Sequence, residues 1–244
     1  MSSHTPGNVL IGGHDVCYIR VGVLNDDCTP LYSATAGVIT PGIVSVQASA
    51  EIEQGQTLDF KTGCGDIRMS IAKPDRTKRR NLSGVLLFHD IELLYLLGGG
   101  YSVAGTAANF TGKTVAWGEA GVGFYGSGQA NPTVCLDFLV QAAADGTGDC
   151  SSGGSAPTYI MYTFPRVRCN IGNVNLQEGI ITVPFDGKGT ANPNIGSGPW
   201  RDYDNIMAMP FPTYSPMVIT ELSSLSVLNM GDGSVGWQTT PGAS

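Results

Sequence analysis

A chain of 244 residues with 42% apolar and only 14% charged residues can bury a real core in one elaborate domain or two small ones, and its charge content lies well below the roughly 25% of an average soluble domain. The formal charge is -7, from 13 bases and 20 acids, but residues 73–80, KPDRTKRR, hold five of the bases (Lys73, Arg76, Lys78, Arg79, Arg80) and one acid, which leaves 8 bases against 19 acids elsewhere. So acidic a body repels nucleic acid, whose binding depends on cations displacing condensed counterions, and sparse charge fits a chain that covers much of its surface with copies of itself.

The opening MSSHTPGNVL has neither the basic nor the apolar region of a secretory signal. No run of about 18 apolar residues is present either, so a cytosolic chain without a membrane partner is expected. Residues 18–24, YIRVGVL, read as a first strand. The clearest alternation follows at 43–53, IVSVQASAEIE: Val44, Val46, Ala48, Ala50 and Ile52 fall on one face, and Ser45, Gln47, Ser49, Glu51 and Glu53 on the other. DIRMSIA (66–72) repeats the pattern with Ile67, Met69 and Ile71 inward. The basic segment 73–80 then reads as a loop, and LSGVLLFHD (82–90) as the strand that returns beside the previous one.

A short helix is expected at 91–97. Asp90 is a good N-cap, Glu92 places negative charge in the first turn, and Gly98 stands where a left-handed terminator is wanted. With Ile91, Leu93, Leu94, Tyr95, Leu96 and Leu97 apolar, this helix must be covered nearly all round, as a plug over a sheet. A two-turn helix cannot stand alone.

Beyond Gly100 the chain turns glycine-rich, recovers a strand at 133–143, and breaks at 145–157. Two more strands follow at 158–172 and 175–185, with Pro165 placing a bulge or an edge in the first. Residues 186–204 read as a long loop, and the tail TTPGAS as a loose arm. The whole, 1–244, reads as a single β-rich domain with flexible arms.

No chemistry-bearing motif survives its context. Gly121, Gly123 and Gly126 have dinucleotide-loop spacing, but no strand precedes them and no helix can follow through SGQANP. There is no G-x-S-x-G, and His4, His14 and His89 lie in a terminus, a glycine turn and a strand end. Asp186, Asp202 and Asp204 lack the alternating ligands of a calcium loop. The sequons at Asn81 and Asn109 have no meaning without secretion. Six cysteines without a C-x-x-C pair read as free thiols. The basic segment lacks aromatic residues for base stacking, and docking against the acidic surface of an identical neighbour is the reading it favours over a solvated hairpin tip. No catalytic residue, cofactor or metal is expected.

At 81–100, NLSGVLLFHDIELLYLLGGG, a strand runs into a D-x-E-L-L-x-L-L-G-G helix after a basic loop and an alternating strand pair. This order resembles the major tail tube proteins of long-tailed, non-contractile bacteriophages. The likeness is best over about residues 38–100 and fair over 115–140 and 159–186. It implies a β-sandwich or partial barrel with one packed helix, lending strands to an oligomeric β-barrel. Six copies would close into a ring, and rings would stack head to tail into a conduit for DNA ejection. It implies a virion tail protein assembled in the bacterial cytoplasm, with tape measure, tail terminator and tail tip proteins as partners and with DNA passing unbound. On that pattern Asp90, Ile91, Glu92, Leu93, Leu94, Leu96 and Leu97 form the packed helix. Lys73, Arg76, Lys78, Arg79 and Arg80 fall in the inter-ring loop. Ser45, Gln47, Ser49, Glu51 and Glu53 would line the bore. The rival reading is a β-rich carbohydrate-binding or surface adhesion module, and a hydrolase using His89 or His14 comes third.

Overall fold

The computed structural model describes residues 12–29, 31, 37–41, 43–61, 67–87, 90–105, 114–119, 132–143, 158–174, 181–195 and 215–222. In chain order these form β1 (Gly12–Val23), β2 (Gly37–Pro41), β3 (Ile43–Glu53), β4 (Thr57–Lys61), β5 (Ile67–Ala72), β6 (Arg76–Leu86), α1 (Ile91–Gly98), β7 (Tyr101–Ala104), β8 (Thr114–Gly118), β9 (Thr133–Ala143), β10 (Thr158–Ile171), β11 (Val183–Gly189) and β12 (Val218–Leu222). The fold is mainly β, a sandwich carrying one short helix. Its main sheet runs β2-β1-β9-β10-β11-β6-β3, all antiparallel, while β4-β5 and β7-β8 are separate hairpins.

Strand β10 divides that sheet. One of its edges pairs with β9 from Thr158 to Arg168, with a register shift between Phe164 and Val167 at Pro165. The other edge is shared, with Tyr159–Thr163 on β12 and Val167–Ile171 on β11. The bulge that Pro165 foretold is therefore present, in a strand with partners on both sides. Past it the sheet curls until β1 and β3 touch, although β9, β10, β11 and β6 lie between them in the order. The sheet does not close into a barrel within the described residues.

Between the two halves lies the core. Ile19 and Val21 of β1, Leu136 and Phe138 of β9, Phe164 and Val167 of β10, Val183 and Phe185 of β11, and Leu82 and Leu86 of β6 all turn inward. On β6 the inward position Gly84 sits opposite Phe185 and Val46. A Cβ on Gly84 would come within 2.5 Å of the Phe185 ring, so only glycine leaves room for that ring against the strand.

The helix forms as its caps direct. Asp90 accepts hydrogen bonds from the backbone N–H groups of Glu92 (3.1 Å) and Leu93 (3.3 Å), satisfying two of the donors that a helix start leaves open. Its end comes one residue later than expected: Gly98 is still helical, and the left-handed cap is Gly99 at φ 67°. Trp117 of β8 donates its indole N–H to the Gly99 carbonyl at 2.6 Å, fixing that end. Leu93, Leu94, Leu96 and Leu97 are buried while Ile91, Glu92 and Tyr95 are half-buried. Four such leucines stabilise by roughly 1.5 to 3 kcal/mol each before ordering entropy is subtracted. The helix packs principally on β10 and β8, with further contact to β1, β2 and β7.

Several expectations change. The segment from Arg76 onward is strand β6, not loop, so Arg76, Lys78, Arg79 and Arg80 lie in the sheet. Strands β5 and β6 are not neighbours, because β5 pairs with β4 and β6 with β3 and β11. Met69 and Ile71, expected inward, are 56% and 45% exposed. Of the five β3 residues expected on the apolar face, only Val46 and Ala48 pack against the core, beside the buried Ile43 that starts the strand, while Val44, Ala50 and Ile52 are exposed. The supposed loop at 186–204 starts as strand, since Asp186 to Gly189 complete β11. Residues 190–195 then dock on the body, where buried Asn192 donates to the carbonyls of Cys28 (2.9 Å) and Pro165 (3.2 Å).

Candidate functional site

Strand β3 holds the residues singled out as bore-lining, and they share its outward face. Ser45, Gln47, Ser49 and Glu53 are exposed and Glu51 is half-buried. The register carries this polar face across the sheet: Gln47 faces Ser83 and Ser49 faces Asn81 on β6. Ser83 and Asn81 then face Asp186 and Lys188 on β11, which face Asn170 and Arg168 on β10. One hydrophilic surface therefore spans β3, β6, β11 and the last part of β10, directly behind the core. The alternation of period two puts it there, since inward Leu82 is flanked by outward Asn81 and Ser83, and inward Phe185 is followed by outward Asp186.

Charge on this face is mixed, acids interleaved with bases, where an acidic surface was expected. Arg79 and Glu51 sit opposite each other and form an ion pair through Arg79 Nε and Glu51 Oε2. That bond, helped by the nearby Lys78, holds the Glu51 carboxyl below its ordinary value of 4.5 against the opposing effect of burial. Glu53 stands opposite Arg76 on β6, and Asp186 shares the surface with Lys188 and Arg168. Asp186 also accepts from Asn170 Nδ2 at 3.4 Å.

Among the described residues β3 hydrogen-bonds on one side only, to β6. That leaves an edge of eleven residues without a strand partner among the described residues, the kind of edge that pairs with other chains.

Beyond β3 the same ribbon continues as an arm. Residues 54–56 and 73–75 break the β3-β6 ladder, the Lys73 N–H donates to the Gln56 carbonyl at 3.1 Å, and the β4-β5 hairpin follows. The break is tight: a Cβ on Gly55 would fall 1.6 Å from the Lys73 carbonyl oxygen, and the Gly55 N–H donates to Asp75 at 2.7 Å. On the hairpin, Leu58 faces Ile71 and Phe60 faces Met69, so all four share one side. They are 44%, 45%, 54% and 56% exposed. The other side carries Asp59, which accepts from the Ser70 hydroxyl at 2.6 Å. An isolated two-stranded hairpin is marginal in water, and this one presents its apolar side to solvent.

The sequence reading missed a buried ion pair in the other half of the sheet, likewise on the side away from the main core. Arg20 Nε lies 2.8 Å from Asp137 Oδ2, with side chains 1% and 0% exposed, and the Thr163 hydroxyl donates to the other carboxylate oxygen. Tyr18, Leu139, Met161, Tyr159 and Leu222 pack beside them. The signal was a single charge inside each of two apolar strands, YIRVGVL and TVCLDFLVQAA.

Gly121, Gly123, Gly126, His4, His89, Asp202, Asp204, Cys64, Cys150, Asn109 and the 145–157 segment lie outside the described residues. His14 lies in β1 and Asn81 in β6. Cys17, Cys28, Cys135 and Cys169 form no disulfide among the described residues, and burial pushes the Cys169 thiol up to about 12. No group of His, Cys, Asp and Glu able to hold a metal occurs among the described residues. No described helix is long and apolar enough to cross a membrane. Compared with models of known protein families and with curated proteins, the chain matches none.

Proposed function

We propose that this chain is the repeating structural subunit of a phage tail tube, with six copies closing into a ring and rings stacking head to tail into a hollow conduit for DNA. The observation that carries the reading is the combination found on β3: an eleven-residue edge with no partner among the described residues whose outward face is hydrophilic through to β10. Edges of this kind pair with other chains, and pooling strands from several copies in one closed barrel removes them. The side chains turned away from the core would then surround the bore. A lining of small hydroxyls, amides and interleaved charges gives a polyanion little to grip, because opposite charges only a few ångströms apart largely cancel beyond a Debye length. The exposed apolar side of the β4-β5 arm supplies a contact for the next copy, and head-to-tail contacts grow into a filament. Tape measure, terminator and tip proteins would bound such a tube, and its place would be the virion tail.

Negative-stain microscopy of the purified chain across concentration and salt tests this directly. Six-membered rings or tubes are expected. A strictly monomeric particle under every condition would refute the reading and return the field to a β-rich binding module.

A further inference from the structure

Of the five cations at 73–80, Arg79 is already committed to Glu51. Arg76 and Arg80 make no ion pair among the described residues, and they meet where the start of β6 passes the segment leading into β12. There they line, with Thr77, Ser215, Pro216 and Met217, an open pocket of about 350 Å³. The Nε of Arg80 is buried and has no hydrogen-bond partner among the described residues. A buried guanidinium donor left unpaired costs free energy, which marks this end of β6 as incompletely satisfied. The Ser215 hydroxyl spends its proton on the Met217 carbonyl, so the strong donors facing the pocket are the two guanidinium groups.

We propose that this pocket receives a carboxylate side chain from a second copy of the chain; the inference deepens the self-assembling reading above and rests on it. The chemistry selects a carboxylate on a short apolar stem. Arginine forks bind a carboxylate with two parallel hydrogen bonds, and Pro216 and Met217 give an aspartate or glutamate stem an apolar wall. The identical neighbour is rich in the complementary group, with 20 acids against 13 bases in the chain. A nucleic acid phosphate would bring a polyanion onto a body of net charge -7, which opposes it.

Sedimentation velocity on the full chain at low and high NaCl, comparing wild type with the Arg76→Gln/Arg80→Gln double variant, reads the effect. The double variant should associate more weakly by on the order of tenfold or more, lose most of the salt dependence, and keep its circular dichroism spectrum and unfolding midpoint. Arg80→Lys offers a check that needs no loss of function. Carbodiimide treatment of a mixture of isotope-labelled and unlabelled chains should join the amine at position 80 to an Asp or Glu of another copy.

Unchanged association of the double variant, links from position 80 only within one chain, or a wild type that never associates would each overturn the proposal. So would saturable binding of a DNA oligonucleotide that the double variant abolishes, which would reassign the pocket to phosphate. Images separate the two readings: tubes formed equally well by the double variant sink the pocket and leave the tube. An oligomer that needs Arg76 and Arg80 but never forms a six-membered ring does the reverse.

Discussion

Arg20 and Asp137 face each other across β1 and β9 and join at 2.8 Å with almost no solvent access. They stand on the side of the sheet away from the main core, so both faces of this part of the sheet are sealed. A buried pair is not by itself a source of stability, because desolvation offsets the attraction. Removing one partner is another matter. Asp137→Asn removes the carboxylate that faces the buried guanidinium and should cost about 3 to 5 kcal/mol, read as a lower denaturant midpoint with an unchanged slope. Replacing Arg20 and Asp137 together by methionine and leucine should cost far less. A single variant as stable as wild type would mean that the pair contributes nothing.

Phe185 lies over Gly84 so closely that no side chain fits beneath it. Gly84→Ala should therefore destabilise by about 1 to 3 kcal/mol through overpacking, outweighing the roughly 0.5 to 1 kcal/mol that alanine gains over glycine inside a strand. Adding Phe185→Leu to that variant should return part of the loss. Chemical denaturation of the three proteins checks the non-additivity expected of residues in contact, and a simple sum of the two single effects would contradict the geometry.

What was legible in the sequence follows from where local and tertiary forces agree. The alternation of β3, the Asp90 cap, the all-round apolar helix and the Pro165 bulge are local signals that the fold leaves intact. The basic segment misled because four cations within Arg76–Arg80 look like a solvated loop. Opposite Arg79 and Arg76, however, stand Glu51 and Glu53 on β3, and cross-strand pairing overrides the poor strand propensity of lysine and arginine. Asp186 to Gly189 misled in the same way. Gly187 reads as a turn, yet it is strand, and its missing side chain leaves space for Cys169 and Val167. Met69 and Ile71 alternate as a half-buried strand should, but alternation cannot say what covers the apolar side.

The Glu51 carboxyl, held below 4.5 first of all by its hydrogen bond from Arg79, gives the polar face a pH dependence of definite sign. With the folded value below the unfolded one, the unfolded chain binds more protons between the two, so stability rises with pH across that interval. The contribution is complete above pH 4.5 and is lost as pH falls through the folded value. Side-chain carbonyl NMR on the dispersed chain should give Glu51 a midpoint below 4.5, moving back toward 4.5 in Arg79→Gln. A wild-type midpoint at or above 4.5 would show that the ion pair does not persist in solution.

On the proposed tube reading, the β4-β5 arm is the most direct link from packing to assembly. Leu58, Phe60, Met69 and Ile71 form one exposed apolar side on an arm that contributes no residue to the two core clusters among the described residues. Polar substitutions there should leave the body nearly as stable as before, since surface changes away from packed features usually move stability by no more than about 0.5 kcal/mol. Self-association is a different quantity, because burying an aromatic or a methionine side chain against another copy is worth roughly 1.5 to 3 kcal/mol. Phe60→Ser with Met69→Ser should therefore keep the wild-type unfolding midpoint under dispersing conditions and lose tube formation in negative stain. Gly55→Ala, which forces a Cβ against the Lys73 carbonyl, should displace the arm and lose tubes by a different route. Tubes of normal length from the Phe60 and Met69 double variant would show that this side of the arm stays bare in the assembly, and the head-to-tail contact would then have to be carried by charge alone.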